Sequence, residues 1–258
     1  MKRIGTTQEG PVGIIELARP PHNFFDYLTV EEIATALERF DADEACRAVV
    51  LAAAGRSFCA GADQSVRSEP GQAGGSYGQY GRHLYKEAMR IFRTRKPVIA
   101  AVHGAAIGGG LGLACAADFR VTCTEARFSA NFTRLGFHPG FGLTELLPRL
   151  VGQQAAALLF LTGKRIDGTE AVRLGLADLL VPQDEVRAAA LRLAGEIAAA
   201  APLAVQATRH TLRRGFAEAF ERATEREYIE QDWLRRTEDF AEGVAAAKER
   251  RDPIFTGR

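Results

Sequence analysis

Two short glycine-rich segments carry the residues through which this 258-residue chain could do chemistry. They are Phe58-Cys59-Ala60-Gly61-Ala62-Asp63 and His103-Gly104-Ala105-Ala106-Ile107-Gly108-Gly109-Gly110-Leu111-Gly112. Small residues let a ligand approach the backbone. The first turn of a helix presents N–H groups that lack intrahelical partners and carry partial positive charge. Two such turns facing one cleft could both donate to a single carbonyl oxygen, an oxyanion hole, where each donor is typically worth about 2.7–4 kcal/mol in a transition state. Nucleotide loops fit less well: GxGxxG begun at Gly108 requires glycine where Leu113 stands, and no Gly-Lys-Ser/Thr occurs. Taken singly, either segment would serve as nothing more than a tight strand-to-helix turn.

The elements around these loops predict an α/β fold. Val12 to Ala18 is a short β-prone run closed by Arg19-Pro20-Pro21, and Leu28 to Phe40 carries a helical stripe of Val30, Ile33, Leu37 and Phe40. Ala48 to Ala53 and Pro97 to Val102 read as strands covered on both faces, each leading into one of the two loops. Glu69 to Gly81, rich in Gly, Ser and Gln, reads as a surface loop. His83 to Arg95 reads as a helix, Gly108 to Ala117 as the start of another, and Phe119 to Thr122 as a third buried strand. Strand and helix thus alternate through the middle of the chain. From Gly142 onward almost everything is helical, with breaks at Pro182, Pro202 and Pro253. No tandem repeat of fixed period is visible.

Bulk composition excludes several classes. Apolar residues make up 47% and charged residues 25%, as in an ordinary globular chain with a sizeable core. Thirty-three basic and 32 acidic side chains leave a formal charge of +1, which points to neither nucleic acid nor an anionic membrane as a partner. An anionic ligand must then be caught by a local basic patch. Residues 97–117 carry no formal charge and are long enough to imitate a membrane span. Pro97 and glycines 104, 108, 109, 110 and 112 interrupt them, so a strand, a loop and a short helix are expected. Cys46, Cys59, Cys115 and Cys123 lack CxxC spacing, which suits reduced thiols in the cytoplasm, and nothing suggests a metal site.

In order along the chain, these motifs resemble the enoyl-CoA hydratase/isomerase (crotonase) superfamily. Arg19-Pro20 followed by Asn23 is similar to the family's first strand-to-helix turn, and Phe58 to Asp63 to its first oxyanion segment. Lys96 to Gly104 with the Gly108–Gly110 triplet resembles the second. Leu135-Gly136 with Pro139-Gly140, then Leu147 to Gly152, Leu161-Thr162-Gly163 and Ala171 to Leu176 continue the match.

The resemblance implies a spiral of ββα turns over residues 1–200 and a C-terminal helical module over 201–258 that builds homotrimers, often paired into hexamers. It implies a coenzyme A thioester as substrate, no separate cofactor, and a thioester carbonyl held by the N–H groups of Ala62 and Gly109. Ala60, Asp63, Gln64 and Ser65 would line the substrate channel. Phe255 would approach the adenine end, with Lys248, Arg250 and Arg251 near the phosphates.

The two glutamates that move protons in the family's hydratases fall, by the same resemblance, at Gly112 and Phe132. Neither can carry a proton, and none of Gly110, Leu111, Leu113, Asn131 or Thr133 supplies a carboxylate. A replacement acid or base is expected in the pocket. His138, within Gly136-Phe137-His138-Pro139-Gly140, is the first candidate, because histidine titrates near neutrality. Glu145 could orient it, and His83, Tyr80 and Tyr85 could contact substrate. His103, Asp63 and Asp118 read as structural. Phe128, Phe132, Phe137 and Phe141 would give apolar walls suited to a bulky acyl group. Three functions stay open: C–C cleavage or double-bond isomerisation through an enolate, hydration proper, and acyl-CoA binding without catalysis.

Overall fold

Ala48–Ala53, a run without one polar side chain, is a strand buried along its whole length with parallel neighbours on both sides. The computed structural model that contains it describes residues 3–62 and 83–258. The chain begins with β1 (Ile4–Glu9), β2 (Val12–Leu17) and α1 (Tyr27–Ala42), followed by β3 (Ala48–Ala53) and β4 (Ser57–Cys59). Next come α2 (Leu84–Phe92), β5 (Val98–Val102), β6 (Ala105–Ile107) and α3 (Gly109–Ala116), then β7 (Phe119–Thr122) and β8 (Arg127–Ser129). The remainder holds α4 (Leu143–Val151), α5 (Gln153–Thr162), β9 (Arg165–Asp167), α6 (Gly168–Arg173) and β10 (Leu179–Leu180). Last are α7 (Val186–Ala199), α8 (Pro202–Leu212), α9 (Phe216–Leu234) and α10 (Glu238–Glu249).

Two sheets result. The larger has strand order β1-β2-β3-β5-β7-β10 and is parallel from β2 onward; the smaller has order β4-β6-β8-β9. From β3 on, each turn of chain lays one strand in each sheet and then a helix: β3-β4-α2, β5-β6-α3, β7-β8-α4. The last turn reverses the order, with β9 joining the small sheet antiparallel before β10 joins the large one. Parallel strands need long crossovers, and each crossover here carries a helix. Helix α7 packs against β3, β5 and β7 through Ala189, Ala190, Ala194 and Ala198, whose small side chains let helix and sheet come close.

Helix α1 starts where Asp26 caps it, accepting the Thr29 N–H at 2.9 Å and the Thr29 hydroxyl at 2.7 Å. Burial works against the Asp26 charge, but the Thr29 bonds and the neighbouring Arg3 and Arg19 outweigh it, and the carboxyl is held below its ordinary range. The charge-free stretch 97–117 divides into β5, β6 and α3, and among the described residues no single helix is long and apolar enough to cross a membrane. Strand β1 and the three-residue strands β4, β6, β8 and β9 go beyond the sequence expectation, which read Gly55 to Asp63 as loop throughout. The expected loop Glu69 to Gly81 lies outside the described residues.

Candidate active site

The two glycine segments lie side by side because β4 and β6 pair in parallel in the small sheet. After β4 the chain turns at Gly61, whose φ of 97° is open to glycine and strained for other residues. Phe25 N–H donates to the Gly61 carbonyl at 3.0 Å, and Phe25 bridges to Ala62, fixing this turn against the entry to α1. After β6, Gly108 takes φ 55° and ψ −121°, donates its N–H to Ser129 O at 2.8 Å, and delivers Gly109 as the first residue of α3. A Cβ placed on Gly61 would lie 2.9 Å from Ile107 O and 3.9 Å from the Gly109 nitrogen, so the two turns are in near contact. Among the described residues, neither the Ala62 nor the Gly109 N–H has a protein acceptor. Both residues line one cavity of about 240 Å³.

The rest of that cavity is largely apolar and rich in phenylalanine. Phe24, Phe25, Phe132, Phe137 and Phe141 line it together with Leu84, Ile107 and Leu135. Tyr85 and His83 enter from the start of α2, and Gln231 and Arg235 from α9. Tyr85 Oη donates to Gln231 Oε1 at 3.2 Å, while Gln231 Nε2 donates to the His138 carbonyl at 2.9 Å. This buried glutamine ties α2 to the 137–141 turn. Burial pushes the Tyr85 hydroxyl upward.

The His83 imidazole, whose Nδ1 accepts from Tyr85 N at 3.3 Å, is pushed down to about 4, first by burial and then by the charge of Arg235. It is therefore neutral at pH 7. Cys59, directly before the first loop, is fully buried and its thiol is pushed up to about 12, so it is no nucleophile. No Asp or Glu occurs among the described residues of the lining, and among the described residues no group of His, Cys, Asp and Glu could hold a metal.

Of the residues singled out in the sequence, the structure brings Ala60, Ala62, His83, Tyr85, Gly109, Phe132, Phe137 and Phe141 to the cavity, while Phe128, expected as part of its wall, is buried elsewhere in the core. Asp63, Gln64, Ser65 and Tyr80 lie outside the described residues. His138 is not among the lining residues, and its Nδ1 sits 2.8 Å from the Pro139 carbonyl. Glu145 pairs with Arg149 along the exposed side of α4 instead of reaching His138.

Phe255 is exposed on the tail after α10 and does not line the cavity. Arg251 is engaged by Glu242 and Glu249. His103 sits 2.8 Å from the Gly55 carbonyl, a structural contact, and Asp118 braces a turn by accepting from Val98 N, Arg209 and Arg213.

The positions read as lost glutamates have definite occupants. Phe132 packs edge-on against Phe137 in the cavity wall. Gly112 is buried in α3, and a Cβ there would lie 2.8 Å from the Phe141 ring. Phe141 itself takes φ 60°, a left-handed conformation uncommon for a phenylalanine, and this conformation sets the ring over Gly112.

The sequence reading did not single out Gln231 or Arg235. Both sit in a helix crowded with Glu and Arg, where a buried polar side chain has no local mark. The periodicity of α9 is too weakly amphipathic to separate its cleft side from its solvated side.

Comparisons with known proteins give the family. The family model for enoyl-CoA hydratase/isomerase matches residues 7–258. A short-chain-enoyl-CoA hydratase of Clostridium acetobutylicum is 36% identical over 211 residues, covering 81% of this chain and 80% of that protein. A probable enoyl-CoA hydratase of Rhizobium meliloti is also 36% identical, over 97% of this chain and 96% of its own. The crystal structure of carnitinyl-CoA hydratase from Mycobacterium avium superposes with a TM-score of 0.88 at 32% identity, covering 100% of both chains. The chain belongs to the enoyl-CoA hydratase/isomerase family of the crotonase superfamily, whose α/β fold it shares and whose acyl-CoA chemistry it serves.

Proposed function

We propose that this protein polarises the carbonyl of an acyl-CoA thioester between the Ala62 and Gly109 amides and stabilises the enolate formed there, without the paired glutamates of a hydratase. The observation that carries this reading is the pair of amides on one cavity, neither with an acceptor among the described residues, facing a wall whose described residues include no carboxylate. Loss of an α- or γ-proton from a thioester, or cleavage of a β-keto C–C bond, places negative charge on the carbonyl oxygen. Two preorganised N–H donors lower that barrier by several kcal/mol. The cavity takes the acyl end, and the nucleotide stays outside it.

Direct hydration needs one group to activate water and a second to protonate the α-carbon. Gly112 and Phe132 supply neither. The titratable side chains that line the cavity among the described residues are His83, Tyr85 and Arg235. His83 replaces His138 as the group favoured for proton transfer, being neutral at pH 7 and inside the cleft. A single proton-transfer group suffices for double-bond isomerisation, which moves one proton between two carbons of the same chain.

Hydration is the second reading, favoured by relatives named hydratases. Mass analysis of the purified protein with enoyl-CoA and β-ketoacyl-CoA thioesters, joined to chromatographic separation of positional isomers, which share one mass, separates the two. Isomerisation or cleavage supports the first; a mass gain of one water and no chain cleavage overturns it in favour of the second. In either case Ala62→Pro, which removes one donor, should lower kcat by about 10²–10³-fold. Retention of full activity would remove Ala62 from the mechanism.

Residues 201–258 also fit self-association, since Leu203, Leu212, Ile229 and Trp233 are all exposed there. Sedimentation of the intact chain, with a trimer or hexamer expected, tests this assignment; a monomer would overturn it.

A further inference from the structure

Arg235 is the only charged side chain among the described residues that line the acyl cavity. Several arginines of the C-terminal helices are ion-paired, Arg226 with Glu230, Arg236 with Asp232, and Arg251 with Glu242 and Glu249. Among the described residues Arg235 has no such partner. Its guanidinium lies over the rings of Phe137, at 5.0 Å, and Phe240, at 5.7 Å, and reaches Gln231 Oε1 only at 3.5 Å. A guanidinium carries five N–H donors in a rigid plane. Ring faces can hold that plane but cannot satisfy its edge.

We propose that the cleft selects acyl-CoA thioesters whose acyl group bears a carboxylate of its own, received by Arg235 in a paired, planar contact. The inference rests on the acyl-CoA reading and names the substrate class for that same site. The amides of Ala62 and Gly109 hold one end of the acyl group, the apolar wall of Phe132, Leu135 and Phe137 covers its middle, and Arg235 receives its far end. Arg235 is exposed at the edge of the pocket, so a neutral hydrocarbon tail would leave its guanidinium edge to water alone. An ammonium-bearing acyl group would be repelled.

The charge of Arg235 is felt within the cavity, since it contributes to lowering His83 and acts on Tyr85 as well. A bound carboxylate would offset the part of the His83 lowering that Arg235 causes, while the larger part, due to burial, would stay.

Calorimetry with non-reacting saturated ligands tests this without knowledge of the reaction: coenzyme A, and two acyl-CoA thioesters of equal length ending in methyl or in carboxylate. The carboxylate ligand should bind roughly tenfold or more tightly than the methyl one, as for a charge-assisted contact at a partly exposed site. Arg235→Gln should erase most of that preference, and Arg235→Lys should restore part of it. Equal loss for all three ligands in Arg235→Gln would mean that the arginine holds a coenzyme A phosphate, which overturns the proposal. Equal binding of both thioesters to the unaltered protein also overturns it while leaving the acyl-CoA reading intact. Failure of all three ligands to bind the unaltered protein would bring down that reading and this inference with it.

Discussion

The ring of Phe141 occupies the space that a side chain at residue 112 would need. A Cβ on Gly112 would meet Phe141 Cδ1 at 2.8 Å and its Cβ at 3.0 Å, and Phe141 is held at φ 60° to stand there. The absence of a carboxylate at residue 112 is thus built into the packing of a second residue. Gly112→Glu should overpack this corner and bury a carboxylate without a partner, lowering stability by about 1–3 kcal/mol from packing alone. It should not produce hydratase activity. Gly112→Glu combined with Phe141→Gly, which removes both the ring and the left-handed strain, should recover part of the loss. Urea denaturation of the two variants checks this, and a single variant as stable as the parent would refute the packing argument.

Glu227 in α9 holds the start of α4, accepting from Gly142 N at 2.7 Å, Thr144 N at 3.0 Å and the Thr144 hydroxyl at 2.6 Å. Burial raises its carboxyl to about 7, against the lowering effect of these three donors. The folded protein therefore binds a proton at Glu227 that the unfolded chain has already released above its usual value of 4.5. The sign follows: this group's contribution to stability falls as pH rises from about 4.5 to about 7, by an amount on the order of 3 kcal/mol. Thermal unfolding between pH 5 and pH 8 should show that decline in the parent and a flatter profile in Glu227→Gln. A parent that gains stability over this window relative to the variant would show the sign to be wrong.

How much of this was legible in the sequence depends on whether a residue's surroundings are local. The buried strands Ala48–Ala53 and Val98–Val102 announce themselves as apolar runs, and the glycines at 61 and 108 mark turns whose backbone needs them. The repeated ββα turn escaped notice as a repeat because its second strand is only three residues long in β4, β6 and β8. Each of those strands pairs with partners far along the chain. Strand β1 escaped because it is an edge with only Ile4 buried.

His138 was favoured because its neighbours Gly136, Pro139 and Gly140 form a turn beside the cleft. Which way a turn residue points is settled by the folded backbone, here with the His138 ring turned back to the Pro139 carbonyl and the His138 carbonyl held by Gln231 from α9. Gln231 and Arg235 face the cavity only because α9 packs against α2 and α4, a relationship with no trace in local pattern.

His83 should remain neutral throughout the range in which the enzyme is assayed. Its imidazole is lowered to about 4 by burial and by Arg235, so the unfolded chain takes up a proton near 6.5 that the folded protein refuses. Stability contributed by this group is complete above about pH 6.5 and is lost as pH falls toward 4, the opposite sense to Glu227. Its ring carbon resonance, assigned through His83→Gln, should not titrate between pH 5 and pH 8. In Arg235→Gln the titration should move upward. A midpoint near 6.5 in the parent would show that the ring is solvated and not packed between Tyr85 and Tyr228.

Asp118 gathers two arginines from the end of α8 and beyond it, Arg209 at 2.9 Å and Arg213 at 2.8 Å, while also accepting the Val98 N–H at 2.8 Å. Arg209 Nη2 and Arg213 Nε are buried without hydrogen-bond partners, so this carboxylate is what offsets two crowded cations. Arg213 is already lowered to about 10, first by burial and then, against the pull of Asp118, by Arg209 and Arg120. Removing the carboxylate leaves uncompensated buried charge, for which losses of about 3–5 kcal/mol are typical. Asp118→Asn should therefore unfold at markedly lower temperature than the parent. Arg213→Met, which removes one cation and keeps the apolar bulk against Phe216, should cost much less. If the ranking came out reversed, the cluster would be held by the packing of Arg213 on Phe216 and not by charge balance at Asp118.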